Sequence, residues 1–282
     1  MTTPEISTSC KHLLASSPNP PELVMSALEA DGGTEKLSIL ELGSGNGRIV
    51  KIIREQNPSS LIVALENDSV LCGSLQDDFW GLGVVLAEAK SLPFGNESFH
   101  RALAINATHE ICAASSASDR YDNFRLLIRG VRKVLKPNGE FVLFDGVMPG
   151  NEDEQIQMKA KSQEASAALS TFIETYTGGA VWIRQISEQE YSLTMADLAT
   201  FLTKFPYIDT DYWETEREQL YPFLSLKQMV DAINSAGLNI VSVDHPTKRA
   251  GLDRFFDYYD VAGYSQDNFP QVQVLIQAKR VE

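Results

Sequence analysis

The chain is short of cysteine, histidine and basic residues. Its three cysteines, Cys10, Cys72 and Cys112, are odd in number and show no Cys-x-x-Cys spacing. That argues against a disulfide framework or a thiolate zinc site and points to a reducing compartment, the cytoplasm. The four histidines, His12, His100, His109 and His245, have no second histidine or carboxylate at a convincing ligand interval, so no metal is expected. Lys and Arg number 24 against 38 Asp and Glu, a net charge of −14. The basic stripe that nucleic-acid binders use to release counterions is missing, and docking on an anionic membrane is equally disfavoured. No run approaches the roughly 20 apolar residues of a membrane span. The first 24 residues have neither an uninterrupted apolar stretch nor an Arg-rich amphipathic pattern. These absences describe a soluble, cytoplasmic protein with no nucleic-acid or membrane partner. The acidic balance serves solubility, with a cationic substrate as the sharper alternative.

What the chain has is a regular alternation. Ser38–Gly43 (SILELG) is an apolar run ending in glycine. Asn46–Asn57 follows with a helical apolar face and stops at Pro58. Further apolar runs lie at Leu61–Leu65, Val84–Ala87 and Ala102–Ile105. Between Tyr121 and Leu135, Phe124, Leu127, Ile128, Val131 and Leu135 have the spacing of an amphipathic helix. A Lys-Pro-Asn-Gly turn at 136–139 then leads into a fifth strand at Glu140–Val147. Strands alternating with helices in this way predict a mostly parallel sheet with right-handed crossovers.

From Met148 to Phe223 the pattern turns polar and helical, with scattered aromatics. Sheet logic resumes with a helix at Ser225–Ala236 and strands at Asn239–Asp244 and Gln271–Ala278. The expected architecture is α/β, Rossmann-like and doubly wound. Its seven-stranded, mostly parallel sheet ends in an antiparallel strand and carries an inserted helical lid. The expected divisions are an N-terminal flap at 1–37, a cofactor-binding core at 38–147, a substrate lid at 148–223 and the rest of the sheet at 224–282.

The first strand runs into Glu41-Leu42-Gly43-Ser44-Gly45-Asn46-Gly47. Read as a dinucleotide fingerprint this loop fails, because Arg48 stands where the third glycine should be. Leu61–Leu65 runs into Glu66 and Asn67, and Ala87-Glu88-Ala89-Lys90-Ser91-Leu92-Pro93-Phe94 follows the third strand. The loop, the acid after the second strand, this segment and the Lys-Pro-Asn-Gly turn occur in order. That ordered set resembles the class I S-adenosylmethionine-dependent methyltransferases over about Ser38 to Val147.

The resemblance implies S-adenosyl-L-methionine as cofactor and S-adenosyl-L-homocysteine as product. It implies a loop of Glu41, Gly43, Ser44, Gly45 and Gly47 around the methionine end. Glu66 would accept from the ribose hydroxyls and Asn67 would lie along the adenine. Glu88, where the family usually has Asp, and Ala89 would contact the base, and Asn106 the methionine end or the acceptor. A nucleotide-binding oxidoreductase and a non-catalytic nucleotide-binding module are the alternatives.

Methyl transfer from a sulfonium is an in-line displacement that depends mainly on placing the acceptor. A base is required only where the acceptor must lose a proton. His109, after the fourth strand, is the candidate base, with Asp145 near the end of the fifth as the second. His100 and His245 read as structural. Trp182, Tyr191, Tyr207 and Trp213 are candidate acceptor-pocket residues. The expected substrate is a small molecule methylated on oxygen. Methylation of a small amine, or of the carboxylate of a metabolite or peptide, is the alternative. The oligomeric state is left open.

Overall fold

The computed structural model describes residues 36–245 and 252–281. Apart from Lys36 and Leu37, the flap expected at 1–37 lies outside the described residues. Two compact units emerge. One joins the described residues up to Val147 with Phe223–His245 and the segment from Gln273. The other joins Met148–Pro222 with the described part of Pro246–Val272.

The first unit is built on a seven-stranded sheet. Its strands are β1 (Ser38–Leu42), β2 (Leu61–Glu66), β3 (Gly83–Leu86), β4 (Phe99–Ile105), β5 (Leu135–Gly146), β9 (Leu238–Asp244) and β11 (Gln273–Arg280). Their spatial order is β3-β2-β1-β4-β5-β11-β9. The pairs from β3 through β5 are parallel, while β11 runs antiparallel to both β5 and β9. The parallel, mostly apolar strands are covered on both faces, as such sheets require. One core packs Leu40, Leu42, Phe124, Leu127 and Phe141 together, and the other Ile39, Val50, Ile53, Leu103 and Phe144.

The helices start where their caps dictate. Asp68 accepts from the backbone N–H groups of Val70 and Leu71 at the head of α2 (Ser69–Asp78). Ser116 accepts from Asp119 N–H at the head of α4 (Ala117–Val134), whose buried residues include Phe124, Leu127, Ile128 and Val131. Ser225 and Gln228 form a reciprocal capping box on α8 (Leu226–Ser235). The remaining helices of this unit are α1 (Arg48–Gln56) and the short α3 (Thr108–Ile111). The Lys-Pro-Asn-Gly turn lies inside β5, as an irregularity in its register against β4. Asn138 takes φ +62° there, and a Cβ on Gly139 would come within 2.8 Å of the Lys136 carbonyl oxygen.

The second unit differs from the helical insertion expected at 148–223. It contains a four-stranded antiparallel sheet, order β10-β6-β8-β7, from β6 (Gln155–Ala160), β7 (Arg184–Gln185), β8 (Glu190–Thr194) and β10 (Tyr259–Val261). Its helices are α5 (Gln163–Thr175), α6 (Met195–Lys204), α7 (Trp213–Glu216) and α9 (Leu252–Tyr258). In β6, Ile156, Met158 and Ala160 are buried between exposed Gln155, Gln157 and Lys159. That period of two marks a half-buried strand, and it is easily lost in a polar stretch. Nor do residues 224–282 all return to the large sheet. Leu252, Phe255, Tyr259, Val261, Phe269 and Val272 are buried in the second unit's core, against Phe172, Phe201 and Trp213.

Candidate functional site

In the first unit, β1 is flanked by β2 on one side and β4 on the other, so chain direction across the sheet reverses there. Open α/β sheets bind ligands in the crevice outside the carboxyl ends at such a switch point. A cavity of about 420 Å³ lies there, within the range of small-molecule sites.

Its floor is the turn after β1. Gly43, Gly45 and Gly47 all take positive φ, at +67°, +52° and +78°. A Cβ on Gly43 would sit 2.7 Å from the Ala107 Cβ, whereas one on Gly45 would meet nothing within 4 Å. Gly43 is thus required by packing, and Gly45 leaves open space in the cavity wall. The Leu65 carbonyl accepts from the N–H groups of Gly43 (2.9 Å) and Ser44 (3.2 Å), tying the loop to β2.

Glu66, buried at the end of β2, holds the loop from its side chain. Its Oε2 accepts from Gly45 N–H at 2.8 Å, and its Oε1 from the N–H groups of Asn67 (2.8 Å) and Asp68 (3.2 Å). Three of about four lone-pair sites on the carboxylate are engaged, which leaves one for a ligand hydroxyl in this conformation. Glu88 also lines the cavity, with its Oε1 3.4 Å from the donating Asn67 Nδ2.

Of the ten sequence-derived cofactor residues, the structure gathers Gly43, Gly45, Glu66, Asn67, Glu88, Ala89 and Asn106 around the cavity. Glu41, Ser44 and Gly47 are not among its lining residues; they build the loop. Gly47 precedes α1, and its Cβ position is filled by Phe79 and Leu75. Ser44 Oγ donates to the Glu41 carbonyl at 3.4 Å. The Glu41 carboxyl is buried and its Oε2 has no partner. Burial, with the nearby Glu66 charge, pushes it up to about 8 against a lowering contact from Ser44. Sequence reasoning missed Leu65, Leu71, Lys90, Glu110 and Ile111 in the lining.

The two candidate catalytic residues meet. His109 Nδ1 lies 2.8 Å from Asp145 Oδ1, with both side chains buried. Asp145 also accepts from Thr108 Oγ1 (2.5 Å), His109 N–H (3.1 Å) and Gly146 N–H (2.7 Å). Burial alone would raise the Asp145 carboxyl. The charge and hydrogen bond of His109, with those of Thr108 and Gly146, outweigh it and hold the group below the usual carboxylate range. A carboxylate held ionised is an acceptor only, so Nδ1 carries a proton and donates it to Asp145, with Nε2 as the other ring nitrogen. That nitrogen lies 3.7 Å from Glu110 Oε1. His109 itself is not on the cavity wall; Glu110 is. His100 takes the structural place expected of it, its Nδ1 accepting from Ser38 N–H at 2.9 Å.

The four aromatic candidates belong to the second unit. Tyr191 and Trp213 are buried in its core, and Trp213 Nε1 donates to Thr175 Oγ1 at 3.0 Å. Tyr207 packs partly buried against that core, while Trp182 is 80% exposed. Tyr191 also lines a cavity of about 320 Å³ with Gln157, Lys159, Glu190 and Asp260.

A nucleoside-bearing ligand fits the first unit's cleft. The open position over Gly45 would admit a backbone-hugging group, Glu66 keeps a lone pair for a hydroxyl, and Leu65, Leu71 and Ala87 give an apolar wall beside Glu88. Among the described residues, no three His, Cys, Asp or Glu side chains converge as a metal site, and no helix is long and apolar enough to cross a membrane.

A family model for a methyltransferase domain matches residues 40–143. No curated protein sequence matches the chain. Among solved structures, an S-adenosylmethionine-dependent methyltransferase from Mesorhizobium loti is 16% identical, with a TM-score of 0.53 over 92% of this chain and 96% of that one. The 1,6-didemethyltoxoflavin-N1-methyltransferase of Burkholderia thailandensis, solved with bound S-adenosylhomocysteine, is 10% identical, with a TM-score of 0.50 over 97% and 83%. The [4+2]-cyclase SpnF is 13% identical, with a TM-score of 0.53 over 93% and 80%. At such identities these likenesses establish the fold. Residues 40–143, less than half of the chain, are thus similar to a methyltransferase domain.

Proposed function

We propose that this enzyme methylates a small cytoplasmic metabolite on oxygen, with His109 as the group that receives the acceptor's proton. The observation that carries this reading is the His109–Asp145 pair at the end of β4, with Nδ1 committed to Asp145 and Nε2 turned toward Glu110 on the cleft wall. When bound, S-adenosylmethionine supplies an activated methyl group. The chain's own work is to hold the cofactor between the glycine loop, Glu66 and Glu88, and to bring the acceptor oxygen in line with the methyl. Asp145 fixes the tautomer of His109 and stabilises the imidazolium formed once the proton is taken. The second unit supplies the aromatic residues that the sequence offers as candidates for acceptor contact. Trp182 is the one of its four candidate aromatics whose exposure suits a ligand contact.

N-methylation is the second reading. It is favoured by the three carboxylates, Glu66, Glu88 and Glu110, which outnumber the lone Lys90 on the cleft wall. A panel of phenols and alcohols, amines, and carboxylic acids, assayed with radiolabelled S-adenosylmethionine, separates the two. The oxygen reading expects label in the first group. It also expects turnover to fall about 10²–10⁴-fold in His109→Asn at unchanged cofactor affinity. Label in amines or acids alone, or undiminished turnover in His109→Asn, would overturn it.

A further inference from the structure

Glu110 is absent from the set of cofactor residues legible in the sequence, and its position gives it a specific task. Its side chain is 56% exposed, lines the cavity, and lies 3.7 Å from His109 Nε2. Across the sheet, Glu66 ends β2, Glu88 follows β3, and Glu110 lies beyond β4. β1 and its glycine loop stand between these two sides. A cofactor with its ribose at Glu66 and its base toward Glu88 therefore has its reacting end toward β4, the side of Glu110. That orientation is the one taken in the cofactor reading above, on which this inference rests.

We infer that Glu110 makes the cleft prefer the charged cofactor, S-adenosylmethionine, over its neutral product, S-adenosylhomocysteine. During transfer the S–CH3 bond breaks, its electron pair stays on sulfur, and the methyl joins the acceptor. The sulfonium charge disappears while the rest of the molecule keeps its charges. A carboxylate on the reacting side thus attracts the substrate form and is indifferent to the product form. Lys90, the one cationic side chain on the wall, belongs to the turn after Glu88, and its charge also reaches Cys112, two residues past Glu110. The consequence is that product leaves more readily than substrate, and the enzyme resists inhibition by its own product.

The test is calorimetric titration of the full chain with S-adenosylmethionine and with S-adenosylhomocysteine. It needs no acceptor. The wild type should bind S-adenosylmethionine about threefold to tenfold more tightly, the scale of one partly solvated charge pair. In Glu110→Gln the ratio should fall toward one while the S-adenosylhomocysteine affinity is unchanged, which also reports an intact fold. In the wild type the ratio should shrink as NaCl rises from about 0.02 M to about 0.5 M, because a half-exposed charge is screened. Equal or tighter wild-type binding of the product would overturn the inference, as would equal weakening of both ligands in Glu110→Gln or a ratio indifferent to salt. If neither ligand binds the wild type, the cofactor reading itself fails and the inference falls with it.

Discussion

Asp145 receives His109 twice, its Oδ1 2.8 Å from Nδ1 and its Oδ2 accepting from the backbone N–H at 3.1 Å. One buried carboxylate at the end of β5 thereby fixes both the ring and the start of the helical turn after β4. The catalytic and the structural reading of these two residues are the same set of bonds.

Asp145→Asn should therefore do two things. It replaces an acceptor of four donors by a group that brings donors of its own, at a cost of about 1–3 kcal/mol in denaturant unfolding at neutral pH. The Asp145 carboxyl is also held below its ordinary range in the folded state. A depressed carboxylate stabilises the fold above its unfolded pKa, and that contribution is lost as pH falls through the folded one. Wild-type stability should decline in the acid range, below about pH 4, more steeply than that of the variant. Parallel acid profiles would show that the pair carries no such charge.

Glu66→Ala should weaken cofactor binding by about 1–3 kcal/mol, the scale of losing a charge-assisted hydrogen bond. Because Gly45, Asn67 and Asp68 donate to the same carboxylate, the variant should also melt at a lower temperature without ligand. A variant that loses affinity but keeps its melting temperature would mean that the loop holds its shape without these bonds.

The parts of the molecule that could be read in advance are those where a local pattern and the tertiary outcome agree. The apolar runs of β1, β2 and β4 and the face of α4 are of this kind, since burial on two sides or one writes its period into the sequence. The glycine loop was legible because Gly43, Gly45 and Gly47 all need left-handed backbone. The second unit was harder. β6 spans six residues and alternates within a polar stretch, and its partners β8 and β10 lie about 30 and 100 residues further on. No local window reports such pairing. The lining role of Glu110 was hidden for another reason. It depends on a four-residue helix, α3, whose orientation is set by Asp145, 35 residues away.

Gly43 and Gly45 should respond differently to alanine. Gly43→Ala adds a Cβ 2.7 Å from the Ala107 Cβ at φ +67°, so both strain and a backbone shift are forced. It should destabilise the fold by more than the roughly 1–2 kcal/mol of a left-handed alanine alone. At Gly45 nothing stands within 4 Å, so Gly45→Ala should cost only about that conformational amount. Its new methyl enters the cleft, however, so the loss should appear mainly in cofactor affinity. Thermal melts without ligand, set beside calorimetric titrations, separate the two effects. Equal stability loss in both variants would refute the assignment of Gly45 as the open position.

Glu41 offers the sharpest pH test in the molecule. Its carboxyl is buried on β1 with Oε2 unpartnered and is pushed up to about 8, chiefly by burial. In the unfolded chain the group ionises near pH 4.3. Between the two values the folded state holds a proton that the unfolded state has released, so stability falls as pH rises. The decline for this one group should amount to about 2–5 kcal/mol between about pH 5 and about pH 8. Glu41→Gln keeps the shape and removes the titration. Its unfolding free energy should therefore gain on the wild type steadily across that interval, whatever offset the substitution introduces at pH 5. A constant difference between the two proteins from pH 5 to pH 8 would mean that Glu41 is already ionised in the fold, with a partner for Oε2.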